Sequence, residues 1–160
     1  MKKLQIDENQ ALKLYKTASS EFKQILEDSF GKEYFNQKIT DRIQSLDDIL
    51  EYLNLKEDDV YIFPKCTTDK FKRYINACSI IPKITSVYNE GTILDWTNLA
   101  QHKYKPCYKK VGSSWFFNHS GCWIFDIHTS SAYYFKSIEL SNDSVKKFND
   151  VYIDFFSYEG

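Results

Sequence analysis

Apolar residues recur at helical spacing through the first ninety positions and then alternate, and that change of period divides the chain. Asp7 with Gln10 three residues on reads as a helix start, where side chains satisfy free backbone donors. Ala11, Leu12 and Tyr15 form the apolar face behind it. A second helix is predicted from Ser19 or Ser20, with Phe22, Ile25, Leu26 and Phe30 in phase and Gly31 as its stop. Ser45 with Asp48 starts a third, carrying Leu46, Ile49, Leu50 and Leu53 on one side.

The longest helical pattern is TTDKFKRYINACSIIPKITSVYNEG, with Thr68 as the predicted cap and Gly91 as the end. Phe71, Tyr74, Ile75, Cys78, Ile81, Thr85 and Tyr88 make one stripe; Ile80, Ile84 and Val87 make a second. Two apolar stripes predict a central helix. Pro82 lacks a backbone donor, so the helix is expected to kink or split near Ile81.

From Lys103 the period is two. Segments 103–110, 113–119, 122–128 and 131–137 read as four strands of an antiparallel meander joined by short Ser/Gly/Thr turns. Ser141 is the predicted cap of a closing helix, with Val145, Phe148, Tyr152 and Phe155 at core spacing. The fold class is therefore α+β: N-terminal helices and a long central helix (69–90) packed on a small antiparallel β-meander, with a C-terminal helix. The 160 residues fit a single domain, mainly helical over 1–95, a sheet over 103–137 and a closing helix over 141–156. Tyr74, Ile81, Phe117, Phe125 and Phe148 are the expected core rings and aliphatics.

Composition adds a setting. Phe, Tyr, Ile, Asn and Lys are abundant while Gly, Ala, Arg and Pro are scarce, the mark of a low-G·C genome. No apolar run approaches the ~18 residues of a membrane span. Lys2 and Lys3 have no apolar stretch behind them, so no signal peptide is read and a cytoplasmic protein is expected. Cys66, Cys78, Cys107 and Cys122 lack CxxC spacing and read as free thiols in a reducing compartment.

Charge is unevenly spread. Residues 1–60 hold 9 basic and 13 acidic side chains, residues 61–110 hold 9 and 3, and residues 111–160 hold 3 and 6. No acid occurs between Asp95 and Asp126. That interval carries the candidate partner-binding residues Trp96, Lys103, Tyr104, Lys105, Tyr108, Lys109 and Lys110, with His102 and Trp115 beside them. Lysines interleaved with exposed rings suit a single-stranded nucleic acid or the acidic face of a protein. The plainer reading is an edge strand protected by lysines.

The stretch WFFNHSGCWIFDIH (115–128) raises the question of a metal. A turn at Ser120-Gly121 would pair His119 with Cys122 and Trp115 with Asp126, and put His119, Cys122, Asp126 and His128 on one face. Asp126 would then lie about 13 Å along the strand from Cys122 at ~3.3 Å per residue. Zinc ligands converge within ~2.0–2.3 Å of one point, so a structural hairpin is read and no metal is expected. No G-x-S-x-G, P-loop, GxGxxG or H-E-x-x-H occurs, so no catalytic residue and no cofactor is assigned. Asp47-Asp48 and Asp58-Asp59 serve a helix start and a polar connector.

Residues 10–53, QALKLYKTASSEFKQILEDSFGKEYFNQKITDRIQSLDDILEYL, resemble the opening of a family of small phage and prophage proteins of Bacteroidetes. NEGTILDW (89–96) and AYYFKSIEL (132–140) are similar to that family's later segments, in the same order. Pro82 and the Cys- and aromatic-rich hairpin depart from its pattern. The family carries no activity to transfer, so no residue role is carried over. What the resemblance implies is a setting inside a bacterial host cell. Small phage proteins without catalytic motifs are often inhibitors of host defence, anti-CRISPR proteins among them. The expectation is a non-enzymatic monomeric binding protein that inhibits a host defence nuclease, in contact with that protein and its guide or target RNA. A virion or assembly component is the alternative, and a small hydrolase or nuclease a second.

Overall fold

A computed structural model describes residues 6–124 and 131–159. Two compact units are distinguished, residues 1–42 and 43–160.

Among the described residues the first unit holds four helices: α1 (Glu8–Thr17), α2 (Ser20–Phe30), α3 (Lys32–Asn36) and α4 (Ile39–Arg42). The Asp7 carboxylate accepts the Gln10 N–H and Ser19 caps α2, as their sequence signatures predict. Gly31 ends α2 at φ +86°, a conformation that a side chain disfavours. The Tyr15 ring stacks on Phe35 at 4.1 Å and its hydroxyl donates to Glu27. Ile25 is exposed, unlike its expected core placing. The helices α3 and α4 are each about one turn long, too short for a period to reveal them.

The second unit is α+β. It comprises α5 (Leu46–Leu53), α6 (Lys70–Tyr88), the hairpin β1 (Lys103–Val111) and β2 (Ser114–Trp123), and α7 (Ile138–Phe156). Ser45 and Asp48 form a reciprocal capping box on α5. Asp69, one residue after the predicted Thr68, caps α6 by accepting the N–H groups of Phe71 and Lys72. The helix α6 runs unbroken through Pro82, so the expected division at Ile81 is not found. Ile80, Ile81 and Ile84 are buried on either side of the proline, and packing there offsets the lost backbone bond.

Two buried asparagines, one inside α6 and one at its C-terminal end, hold loops to the helix. Asn76 exchanges two hydrogen bonds with the backbone of Phe63. Asn89, just past the helix end, donates to the Tyr134 carbonyl and accepts the Lys136 N–H. Phe135, between them, makes an isolated two-bond bridge to Tyr104.

The predicted meander is corrected to a two-stranded hairpin among the described residues. Its turn is Gly112-Ser113, with Gly112 at φ +62°. Ser120 and Gly121, read as a second turn, lie inside β2 opposite Pro106 and Lys105. Gly121 serves close approach instead: a Cβ there would meet Cys107 Sγ at 2.9 Å and Trp123 Nε1 at 3.1 Å. The segment read as a fourth strand starts with a 3-10 turn, Ser131–Tyr133. Phe125, Asp126 and His128 lie outside the described residues.

The closing helix begins earlier than expected. Ser137 caps α7, while Ser141 is buried within it and receives the Ser120 hydroxyl proton at 2.7 Å. Both serines carry the same local signal, and packing on β2 decides which is the cap. Phe148 leaves helical geometry at φ −123°, ψ 27° and bends α7. Ile81 and Phe148 are buried as predicted; Tyr74 and Phe117 are only half-buried. All four cysteines are free. Among the described residues no helix is long and apolar enough to cross a membrane.

Candidate functional site

The hairpin register sorts its side chains into two faces. Tyr104, Pro106 and Tyr108 share one face of β1, and opposite them stand Cys122, Ser120 and Phe117 of β2. One extra residue, Asn118, bulges from β2 between the Cys107 and Tyr108 pairings and restores this phase. This inner face packs on α7: Ser120 bonds Ser141 and Asn142, and the Tyr108 hydroxyl donates to Asn149 at 2.8 Å. Tyr108 also stacks on Phe156 at 4.8 Å. Burial, reinforced by the Asp150 charge, pushes its phenol pKa well above the ordinary range.

The outer face carries Lys103, Lys105, Cys107 and Lys109 of β1, opposite Trp123, Gly121, His119 and Phe116 of β2. No acidic residue lies on either strand. The carboxylates that reach the hairpin come from α7 and beyond: Glu139 towards Tyr104, Asp150 towards Tyr108 and Glu159 on Lys110.

At the closed end of this face, rings and ammonium groups alternate. Lys103 Nζ lies 5.2 Å over the Trp96 ring, and Trp96 meets Tyr134 edge-on at 4.9 Å. Lys105 Nζ sits between Tyr134 (5.2 Å) and Trp123 (4.5 Å). Such contacts stabilise by about 0.5–2 kcal/mol, most where water is excluded. Lys103 is 0% exposed and donates to the Gln101 and Asn98 carbonyls at 2.7 and 3.3 Å. The neighbouring Trp96 indole N–H is buried and has no acceptor among the described residues.

At the open end, Lys109 on this face and Lys110 on the other, opposite Trp115, are exposed beside the Gly112-Ser113 turn. Phe116, opposite Lys109, is 51% exposed, and Trp123, at the other end of the face, is 38% exposed. A cleft of ≈ 470 Å³ opens at the hairpin tip, lined by Lys70, Lys110, Ser113, Trp115, Ser157 and Glu159 among others.

The structure therefore regroups the seven residues singled out by sequence. Trp96, Lys103 and Lys105 come together around Tyr134, with Lys103 enclosed, which corrects its expected exposure. Tyr104 and Tyr108 do share a face, but it is the one turned to α7, so Tyr108 is a core ring. Lys109 and Lys110 remain at the surface. Phe116 and Trp123 were missed. Placing the turn at Gly112-Ser113 and counting in twos from Lys109 finds Phe116, but the bulge that brings Trp123 onto the same face leaves no sequence signal.

The same register separates the residues of the possible metal set. His119 faces Cys107 on the outer face while Cys122 faces Tyr104 on the inner one. Among the described residues no three His, Cys, Asp or Glu side chains are placed to share an ion. No family model, curated protein or solved structure matches the chain.

Proposed function

We propose that this chain is a non-enzymatic, phage-encoded binding protein that acts in the bacterial cytoplasm by inhibiting a host defence nuclease, of the RNA-guided class. The observation that carries the binding part is the two-sidedness of the hairpin. Its inner face is committed to α7, whereas its outer face leaves Phe116, Trp123 and Lys109 at the surface with no acid on either strand. Exposed rings cost solvation unless a partner covers them, and aromatic anchors ringed by charge are what partners use. The resemblance to small phage proteins supplies the setting and the target class.

The test is affinity purification of the tagged chain from bacterial cells, followed by assay of the captured nuclease. Stoichiometric capture and loss of nuclease activity support the reading. Hydrolytic turnover by the chain itself would replace it with an enzyme, and assembly into large oligomers with a virion protein would replace it with a structural component.

A further inference from the structure

We infer that the outer face of the hairpin takes a single-stranded nucleic acid, with bases against Phe116 and Trp123 and phosphates on Lys109 and, where the strand rounds the hairpin tip, on Lys110 and Lys70 of the tip cleft. The inference rests on the binding-protein reading above and gives the chemistry of what this face holds.

Charge selects the class of ligand. From Lys103 to Trp123 the hairpin has lysines and no acid. Lys109 has no ion-pair partner among the described residues, and neither has Lys70 across the tip cleft from Lys110. A ligand that reaches these unpaired lysines is favoured when it is anionic. Lysines act as point charges suited to successive phosphates, and a protein partner is more often met by arginine.

The rings narrow the class to single strands. Phe116 and Trp123 stand opposite Lys109 and Lys103, six residues apart along β1, or roughly 20 Å. They are too distant to enclose one base together, and fit bases several nucleotides apart on one strand. A duplex keeps its base faces stacked inside and cannot offer them, whereas an unpaired strand can. Between the two rings the face carries the His119 imidazole and Gly121, over which the Trp123 indole and Cys107 pack closely. Lys105 already holds the Trp123 ring at 4.5 Å, which fixes its orientation before any ligand arrives.

One phosphate position is occupied from within. Glu159 bonds Lys110 at 2.5 Å at the edge of the tip cleft, and both side chains are about half exposed. An ion pair this open is weak and is readily exchanged for a phosphate. Glu159 is therefore a competitor in cis, and its removal should tighten binding.

The experiment is fluorescence anisotropy of labelled oligouridine, oligothymidine and a duplex, each of about 15 residues per strand, titrated with the full chain. Both single strands should bind more tightly than the duplex. Log affinity should fall against log salt with a slope of about −2, as expected for three lysine–phosphate contacts on a single strand. Phe116→Ser with Trp123→Ser should weaken single-strand binding about tenfold or more. Because Trp123 packs against Lys105, Phe116→Ser with Lys109→Ser serves as a second variant confined to exposed side chains, and should also weaken it. Glu159→Gln should tighten binding, whereas Glu57→Gln, which breaks the comparable exposed pair with Lys65, should not.

Absence of oligonucleotide binding at low salt, equal binding of duplex, or undiminished binding by folded ring variants overturns the inference. If a captured protein partner survives nuclease treatment while oligonucleotides fail to bind, the nucleic-acid inference fails and the binding-protein reading stands. If oligonucleotides bind but no nuclease is captured or inhibited, the reading fails and the inference stands.

Discussion

The Tyr88 hydroxyl donates to the Asp143 carboxylate across 2.8 Å and joins the last turn of α6 to α7. Lys147 reaches the same carboxylate oxygen at 2.8 Å, and the Tyr88 ring meets Phe135 and Phe148 edge-on. Tyr88 is fully buried, so this contact lies at the junction of both long helices and the segment that bridges to β1. Tyr88→Phe keeps the ring and removes the bond. It should lower stability by about 1.5–3 kcal/mol, the range for a hydrogen bond to a charged group. Urea unfolding with an unchanged slope and a lower midpoint is the expected record; an unchanged midpoint would show that the bond contributes nothing.

Phe148 tests the packing side of the same junction. It is buried at the bend of α7, and Phe148→Ala should cost about 3–5 kcal/mol. A midpoint within error of the wild type would remove Phe148 from the core.

Lys103 and Lys109 are both lysines of β1 on the same face, yet they should behave differently. Lys103 is enclosed, with two carbonyl acceptors and an indole ring about its ammonium group, and Lys103→Ala should destabilise by about 2–4 kcal/mol. Lys109→Ser should stay within about 0.5 kcal/mol of wild type, as surface substitutions do. Thermal melts of the two variants side by side decide it, and equal midpoints would contradict the burial of Lys103.

Stability should fall at both ends of the pH scale. Burial raises the phenol pKa values of Tyr88, Tyr108 and Tyr152 above 10; Asp143 reinforces this at Tyr88, Asp150 does so at Tyr108, and Ser144 partly opposes it at Tyr152. A raised folded pKa favours the neutral phenol, so this stability is complete below pH ~10 and is lost as pH rises above it. At Asp48 burial pushes the carboxyl up, but the N–H groups of Gln44 and Ser45, the Ser45 hydroxyl and the Lys147 charge outweigh it and the pKa is lowered. That contribution is present above the unfolded value near ~3.9 and is lost as pH falls through the folded one. Urea midpoints measured across pH should stay level in the middle and decline on both sides. Titration of all the tyrosines as one ordinary group in the native protein would refute the alkaline part.

Zinc should be absent. The purified chain is expected to carry no stoichiometric metal by plasma mass spectrometry, and His119→Ala with His128→Ala should fold and bind as the wild type does. One zinc per chain, lost in that variant, would reverse the conclusion drawn from His119 and Cys122 facing opposite sides.

The amino-acid pattern by itself determined whatever depends on local chemistry. The caps at Asp7, Ser19 and Ser45, the stop at Gly31, the buried Ile80, Ile84 and Val87 stripe of α6, the extended start at Lys103 and the α+β class all follow from one turn of backbone or one periodicity. The other α6 stripe is buried only from Ile81 onward and leaves Phe71 exposed. Tertiary structure decided the choices that local chemistry leaves level. Gly112 and Gly121 are equally plausible turn residues; strand pairing put the turn at Gly112, because the longer hairpin lays Ser120 against Ser141 and leaves Gly121 room for Trp123 and Cys107. Ser137 and Ser141 are equally plausible caps, and burial against β2 chose between them. The candidate surface turned on the same choice. An extra residue at Asn118 and a helix behind β1 sent Tyr108 inward and Phe116 with Trp123 outward. Alternation tells which residues share a face, but only the element packed behind the strand tells which face meets water.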